Sequence, residues 1–308
     1  MEKFEQLFNF INKQAEEYEK SQSTYLEGVL DTLSGIIDGE YVLPVKEATK
    51  EEMRKAIQLA ILKGMRKSSQ PNHQMTPDSL GLLIAYFVEQ FFEEPLKQGI
   101  TVLDPALGTG NLMFTIMNKL DGKIHATGVE VDELLIRLAG ETAELIEQPI
   151  QLYHQDALQP MLVDPVDAVI CDLPVGFYPN EEVALEYELC AKEGMSYTHH
   201  LLIEQSINYT KDGGILIFLI PSTLFKSEQA PDLHKYLKKH AWIQAVIQLP
   251  ENMFKSKVHE KRIFIVQKKS DELRPPKEVL LAKVPNMSNK EAMLLFFEKI
   301  KIWKENNL

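Results

Sequence analysis

The chain has 308 residues, 44% of them hydrophobic, and a net charge of −12 from 33 Lys and Arg against 45 Asp and Glu. That length and apolar content support a large core in one domain or two, and the acidity disfavours a wide phosphate-facing surface, which needs clustered Lys and Arg. The cysteines Cys171 and Cys190 make neither a disulfide framework nor a zinc pattern, the apolar run Ile215 to Ile220 is far too short to span a bilayer, and Met1-Glu2-Lys3-Phe4-Glu5 is acidic and amphipathic rather than a signal peptide, so a cytoplasmic location is expected.

Residues 1–95 read as a helical domain. Phe4, Leu7, Phe8, Ile11, Ala15 and Tyr18 recur at helical spacing, Glu51 to Arg66 predicts a second helix, and Asp78 to Phe92 a third behind the start signal Thr76-Pro77-Asp78. Strand-like alternation in this part is confined to Tyr41 to Val45. From Gly99 the pattern changes. Strand-like runs fall at 100–104, 124–130, 150–155, 167–171, 214–220, 242–249 and 262–268, and helical stretches at 111–120, 132–147, 197–211 and 228–240 separate most of them. This alternation predicts a parallel sheet covered on both faces. The short polar segment between the last two runs permits a hairpin, and so an antiparallel edge strand. Residues 96–270 therefore form the expected α/β domain, and 271–308 an extension ending in one amphipathic helix, Asn289 to Trp303. Trp242 and Trp303 are expected in the core.

Asp104-Pro105-Ala106-Leu107-Gly108-Thr109-Gly110-Asn111 carries the strongest chemical signal. It lies between the strand-like run Ile100 to Leu103 and a helix-like run from Leu112, so it is a strand, a glycine turn and a helix start in that order. The glycines allow close backbone approach to a ligand, and the helix start presents unpaired N–H groups. Met113 stands where a dinucleotide fingerprint has its third glycine, and the absence of a following Lys-Ser/Thr excludes a P-loop. Glu130 ends the next strand 20 residues after Gly110, where a carboxylate takes ribose hydroxyls. The third strand end offers His154-Gln155-Asp156-Ala157, and the fourth Cys171-Asp172-Leu173-Pro174-Val175-Gly176-Phe177-Tyr178. Acids at successive strand ends ask for a donor-rich ligand, such as an adenosine that carries an amino-acid ammonium.

Two segments run against the acidic balance. Arg54 to Lys67 holds five Lys/Arg and no acid, and Lys226 to Lys269 holds ten against four acids. Each is either a local phosphate-facing groove or a solvated face. His199 and His200 have no Cys or carboxylate at ligand spacing, so no metal is expected there, and Cys171 reads as a buried apolar residue.

Together Thr76-Pro77, Asp104-Pro105 with Gly108 and Gly110, Glu130, Asp156 and Asp172-Leu173-Pro174-Val175 resemble the N6-adenine class of S-adenosylmethionine-dependent DNA methyltransferases. The resemblance covers residues 70–270 and is nearest to the modification subunits of type I restriction systems and their stand-alone bacterial homologues. It implies an α/β fold: a Rossmann-like seven-stranded methyltransferase sheet with an antiparallel edge strand, preceded by the helical domain. It implies S-adenosylmethionine as cofactor. Thr76 would contact the methionine carboxylate, Asp104, Gly108 and Gly110 the methionine ammonium and backbone, Glu130 the ribose, and Asp156 the adenine amino group, with Pro105, Asn111, Ala157 and Asp172 as further cofactor-binding residues. In the catalytic loop, Asp172 and the backbone carbonyl of Leu173 would accept both hydrogens of the acceptor amine, with Pro174 retained. Val175 stands where the family has an aromatic ring that stacks on a flipped base, a loss of roughly 1–3 kcal/mol. Phe177 or Tyr178 are the candidate substitutes.

The same residues also admit plain structural roles: Thr76 as a helix cap, Asp156 as a turn residue, Asp172-Leu173-Pro174 as a strand-to-loop turn. The leading function is methyl transfer to adenine N6 in DNA, with sequence read poorly or by a specificity partner protein. The alternatives are an amide or amine acceptor such as protein glutamine, and a cofactor-binding or partner-binding protein whose catalytic loop has decayed.

Overall fold

The computed structural model describes residues 2–21, 24–67, 75–254 and 260–307. Among them are the helices α1 (Lys3–Glu19), α2 (Tyr25–Ile37), α3 (Lys50–Lys67), α4 (Asp78–Phe91), α5 (Asn111–Leu120), α6 (Glu133–Leu145), α7 (Glu181–Ala184), α8 (Thr198–Asn208), α9 (Ala230–His240) and α10 (Lys290–Asn307). The strands are β1 (Ile100–Asp104), β2 (Ile124–Glu130), β3 (Ile150–His154), β4 (Val166–Asp172), β5 (Thr210–Pro221), β6 (Ala241–Gln248), β7 (Lys261–Lys268) and β8 (Leu280–Lys283). They form one eight-stranded sheet in the order β3-β2-β1-β4-β5-β7-β6-β8. The chain divides into two compact units, residues 1–82 with 107–156 and residues 83–106 with 157–308.

The first unit packs α1, α2 and α3 around Leu7, Ile11, Val29, Leu33, Ile57 and Ile61, all at most 2% exposed. Two glycines let these helices approach closely. A Cβ on Gly28 would lie 2.8 Å from the Ala15 carbonyl of α1, and one on Gly64 would lie 2.4 Å from Leu26 of α2. Thr24 and Glu27 close a reciprocal capping box at the start of α2, which ends the connection from α1 cleanly. In the same unit β2 and β3 run parallel, with Glu130 opposite His154 at their C-terminal ends.

The second unit holds β1, β4 and β5, mutually parallel in that order. β7 runs antiparallel to both β5 and β6, and β6 is parallel to β8. Ile215 to Ile220 of β5 are buried throughout, as a central strand covered on both faces requires.

Most expected elements fall within a few residues of their observed bounds, and the α/β class with its antiparallel strand holds. Four features differ. Tyr41 to Val45 is not a strand: the Gly35 carbonyl accepts the N–H groups of Glu40 and Tyr41, so the chain folds back on the end of α2, and Gly39 takes φ 75° there. α2 is a separate helix that the sequence reading did not single out. β8 adds an eighth strand beyond the expected seven; its four residues are too short for alternation to mark. Trp242 and Trp303 are half-buried rather than core, and the Trp303 indole N–H donates to the Glu278 carbonyl at 2.8 Å. An amphipathic ring with a polar tip is satisfied at a surface.

Candidate functional site

The glycine turn of the first unit is built by backbone conformation. Gly108 and Gly110 take φ 60° and 79°, the left-handed region that a side chain resists. A Cβ on Gly110 would strike the Phe114 ring at 2.5 Å, whereas one on Gly108 would meet nothing within 4 Å, so the turn opens to space above Gly108. Gly128 of β2 has the complementary role: a Cβ there would lie 2.5 Å from Leu107, so its absence lets the strand pass under the turn.

Glu130, 9% exposed, is fixed by three backbone donors. Gly108 N–H donates to its Oε2 at 2.7 Å, and Val131 and Asp132 N–H donate to its Oε1 at 2.9 Å each. The carboxylate therefore ties the end of β2 to the glycine turn. Asp156, half-buried, follows the paired end of β3, where Gln155 N–H donates to the Glu130 carbonyl at 3.1 Å. Both acids thus sit at one end of neighbouring strands.

A buried polar network holds the other side of this turn. Asn111, the first residue of α5, donates through Nδ2 to the Thr76 carbonyl at 2.7 Å and to Asp78 at 3.1 Å. Its Oδ1 accepts from Arg54 of α3 at 3.2 Å. Arg54 is 4% exposed and also donates to Glu51 (2.8 and 2.9 Å), to Asp78 (2.6 and 3.2 Å) and to Thr115 (3.4 Å). Burial by itself would raise the Asp78 carboxyl, but the Arg54 hydrogen bonds and charge, with Asn111 and Gln58, hold it below the usual carboxylate value. Thr76 itself is 7% exposed.

In the second unit, Asp104 ends β1 at 1% exposure and accepts from Ala106 N–H at 3.1 Å. Pro105 and Ala157 are buried, and the Ala157 carbonyl accepts from Gln205 at 2.8 Å. Cys171 is fully buried beside Asp104. Burial first, and then the Asp104 charge and hydrogen bond, push its thiol well up, which makes it an inert core group. Asp172 ends β4 and forms an ion pair through Oδ1 with Lys261 of β7. Leu173 is buried, its N–H donating to the Leu219 carbonyl at 3.2 Å, while Pro174 and Val175 are exposed.

The two candidate rings separate. Tyr178 is 6% exposed, whereas Phe177 is 52% exposed and stacks on Tyr197 at 4.8 Å between centroids and 15° between planes. Backbone pairing fixes this stack: Phe177 bridges to Tyr197, Tyr178 N–H donates to Ser196 and Thr198 N–H to Gly176. Tyr197 was not singled out in the sequence; its only local signal is its place just before a helix start.

His199 and His200 lie beneath Tyr197, with ring centroids 5.0 Å apart. Burial lowers their values to about 3 and about 4, with the neighbouring His200 adding to the shift at His199. Among the described residues, neither ring nitrogen of His200 has a hydrogen-bond partner, nor has Nδ1 of His199. Both rings are neutral when folded and take protons near pH 6.5 when unfolded. Unfolding therefore takes up protons below that pH. Their stabilising contribution is complete above about pH 7 and falls by about 1.4 kcal/mol per histidine per pH unit toward pH 4. Urea midpoints are expected to drop between pH 7 and pH 5, with a shallower drop in His200→Phe. An equal drop in the variant would assign the effect to other groups.

Carboxylates, mostly from other segments, engage most cations of the first basic run and four of the second. In the first, Arg54 is buried, Lys55 pairs with Glu51 (3.6 Å), Lys63 with Glu16 (2.5 Å) and Lys67 with Glu19 (2.6 Å). In the second, Lys235 pairs with Asp232 (3.6 Å), Lys239 with Glu188 (2.9 Å), Lys268 with Asp212 (3.6 Å) and Lys261 with Asp172. Lys255 and Lys257 lie outside the described residues. No group of three or more His, Cys, Asp or Glu among the described residues is arranged to hold a metal ion, and no described helix is long and apolar enough to cross a membrane.

Residues 65–305 match the family model for N-6 DNA Methylase, and residues 41–65 match one for a YtxK N-terminal helical domain. The uncharacterized protein YtxK of Bacillus subtilis is 48% identical over 254 residues, which are 82% of this chain and 77% of YtxK. A crystal structure from Listeria monocytogenes, of a protein assigned to the class I S-adenosylmethionine-dependent methyltransferases, is 40% identical with a TM-score of 0.91, covering 98% of this chain and 99% of that one. The methyltransferase subunit of a type I restriction-modification system from Streptococcus thermophilus shares the fold at 17% identity and TM-score 0.65, over 82% of this chain and 58% of that one.

Proposed function

The chain belongs to the N-6 DNA methylase family of S-adenosylmethionine-dependent methyltransferases, and from that premise we propose that it transfers the methyl group to the exocyclic amine of adenine in DNA. The observation that carries this reading is Asp172, a carboxylate at the end of β4 in the loop Asp172-Leu173-Pro174-Val175, close in sequence to an exposed ring, Phe177, held by the Tyr197 stack.

The residues present fit the cofactor. The turn is open above Gly108, Glu130 ends β2 and Asp156 lies just past the end of the adjacent β3 in one unit, and Asp104 and Asp172 end strands in the other. In the proposed assignment, Glu130 takes the ribose, Asp156 and Ala157 the adenine, and Asp104, Pro105, Gly108, Gly110, Asn111 and Thr76 the methionine portion. Bound there, S-adenosylmethionine supplies an electrophilic sulfonium methyl.

The chain's own residues prepare the acceptor. An exocyclic amine conjugated with its ring is a poor nucleophile. Hydrogen bonds from its two N–H groups to the Asp172 carboxylate and the Leu173 carbonyl would turn the lone pair out of conjugation and leave it available. Phe177 would offer its face to the ring, in place of the aromatic that Val175 lacks. Leucine in place of proline keeps the backbone carbonyl as an acceptor.

One observation favours a second reading, transfer to an amide nitrogen of protein: carboxylates engage most cations of the first basic run and Lys235, Lys239, Lys261 and Lys268 of the second, which leaves fewer for DNA phosphates. DNA as substrate would then call for a specificity partner that brings its own cations. Tritiated methyl transfer to unmethylated DNA and to total cell protein separates the readings. Label in DNA that falls about 100-fold or more in Asp172→Ala is the expected result. Label in protein alone would replace it with the second reading. No label in either, with the cofactor bound, would mean a decayed catalytic loop.

A further inference from the structure

We infer that Lys261 is the positioning residue for Asp172, holding and neutralising the carboxylate that receives the acceptor amine. The inference rests on the role given to Asp172 above. Lys261 is the first residue of β7 and pairs with Pro221 at the end of β5, while Asp172 pairs with Leu219 on the other side of β5. The lysine side chain thus crosses the end of one strand to reach Oδ1 of Asp172, where the C-terminal ends of β4 and β5 lie side by side. The partners are only 20% and 16% exposed.

That burial decides what the pair does. A carboxylate so poorly hydrated is costly without a cation, and a neutral amine closing over it would strip more water without supplying charge. Asparagine at this position carries no such cost. An aspartate needs a compensating charge, and Lys261 provides it. The ammonium also restrains the carboxylate's rotation, so the oxygen presented to the amine is set before the acceptor arrives. A positioning residue of this kind acts through Asp172 and makes no contact with the methyl group.

The test is a cycle of Lys261→Met, Asp172→Asn and the double variant, with Lys261→Arg as the conservative control. Lys261→Met is expected to lower kcat/KM for the acceptor by about 100-fold, with much of the loss in kcat and with Lys261→Arg retaining most activity. The double variant is expected to recover activity relative to Lys261→Met, because an amide needs no cation. Loss in the double equal to or greater than in Lys261→Met, or full activity in Lys261→Met, would overturn the inference. Chemical denaturation of the same four proteins reads the pairing without turnover. The double variant is expected to be more stable than Lys261→Met, and strictly additive losses would overturn the pairing. A wild type that binds S-adenosylmethionine but methylates nothing would sink the role of Asp172, and the denaturation cycle would still judge the pair.

Discussion

Arg54→Met is expected to destabilise the protein by about 3 kcal/mol and to weaken S-adenosylmethionine binding at the same time. Arg54 is the hub of the network joining α3, the start of α4 and the first turn of α5, and its fork donates to two carboxylates, one amide and one hydroxyl. Methionine fills similar space and supplies no donor. Breaking a buried pair by removing one partner costs about 3–5 kcal/mol, and the lower end applies because Glu51 and Asp78 keep 36% and 30% side-chain exposure. Asn111 loses its Arg54 donor, and with it the restraint on the Thr76 carbonyl and the glycine turn. Lysine cannot replace the five-donor fork, so Arg54→Lys is expected to fall between. The pH dependence follows. Asp78 is held low, so its contribution is present above the unfolded carboxyl value, near pH 4, and is lost as pH falls below it. Arg54→Met should lose that acid sensitivity. Urea titrations at pH 7 and pH 3.5, with calorimetric titration of the cofactor, check both halves. A wild-type cofactor affinity in a destabilised Arg54→Met would confine the network to folding.

Glu130→Ala is expected to reduce cofactor affinity by about 100-fold or more. A hydrogen bond to a charged group contributes about 1.5–3 kcal/mol, and the assigned role gives this carboxylate ribose hydroxyls to bind. The substitution also strands the N–H groups of Gly108, Val131 and Asp132, so the turn itself should loosen. Glu130→Gln separates the two effects: it retains an acceptor oxygen for the backbone but loses the charge and one acceptor. Calorimetry on both variants, alongside thermal melts, reads them independently. A large fall in melting temperature with unchanged affinity would leave Glu130 as a turn-forming residue alone.

Part of this site was legible in the residue order because it is local. The strand, glycine turn and helix start around Asp104 to Asn111 depend on backbone conformations that glycine alone takes easily, and the structure shows those φ values at Gly108 and Gly110. Glu130 was legible because it ends the next strand-like run 20 residues after Gly110. Phe177 and Tyr178 are adjacent and equally aromatic, so nothing local distinguished them; pleating and the bridge to Tyr197 expose one and bury the other. The basic runs left a groove and a solvated face equally open for a related reason. Counting cations along the chain ignores the acids that other segments bring to them, as Glu16 and Glu19 of α1 do for Lys63 and Lys67 of α3.

The order of residues alone determined the alternation of strands and helices, the open glycine turn and the acids at the strand ends, since each follows from periodicity or from φ preferences within a few residues. Only the tertiary structure decided that Arg54 is a buried hub rather than a surface cation, and that Lys261 belongs to Asp172. Those partners lie 24 and 89 residues away in the chain. An ion pair at such separation exists only because strand order and helix packing close the intervening chain, and burial then gives the pairing its energetic weight.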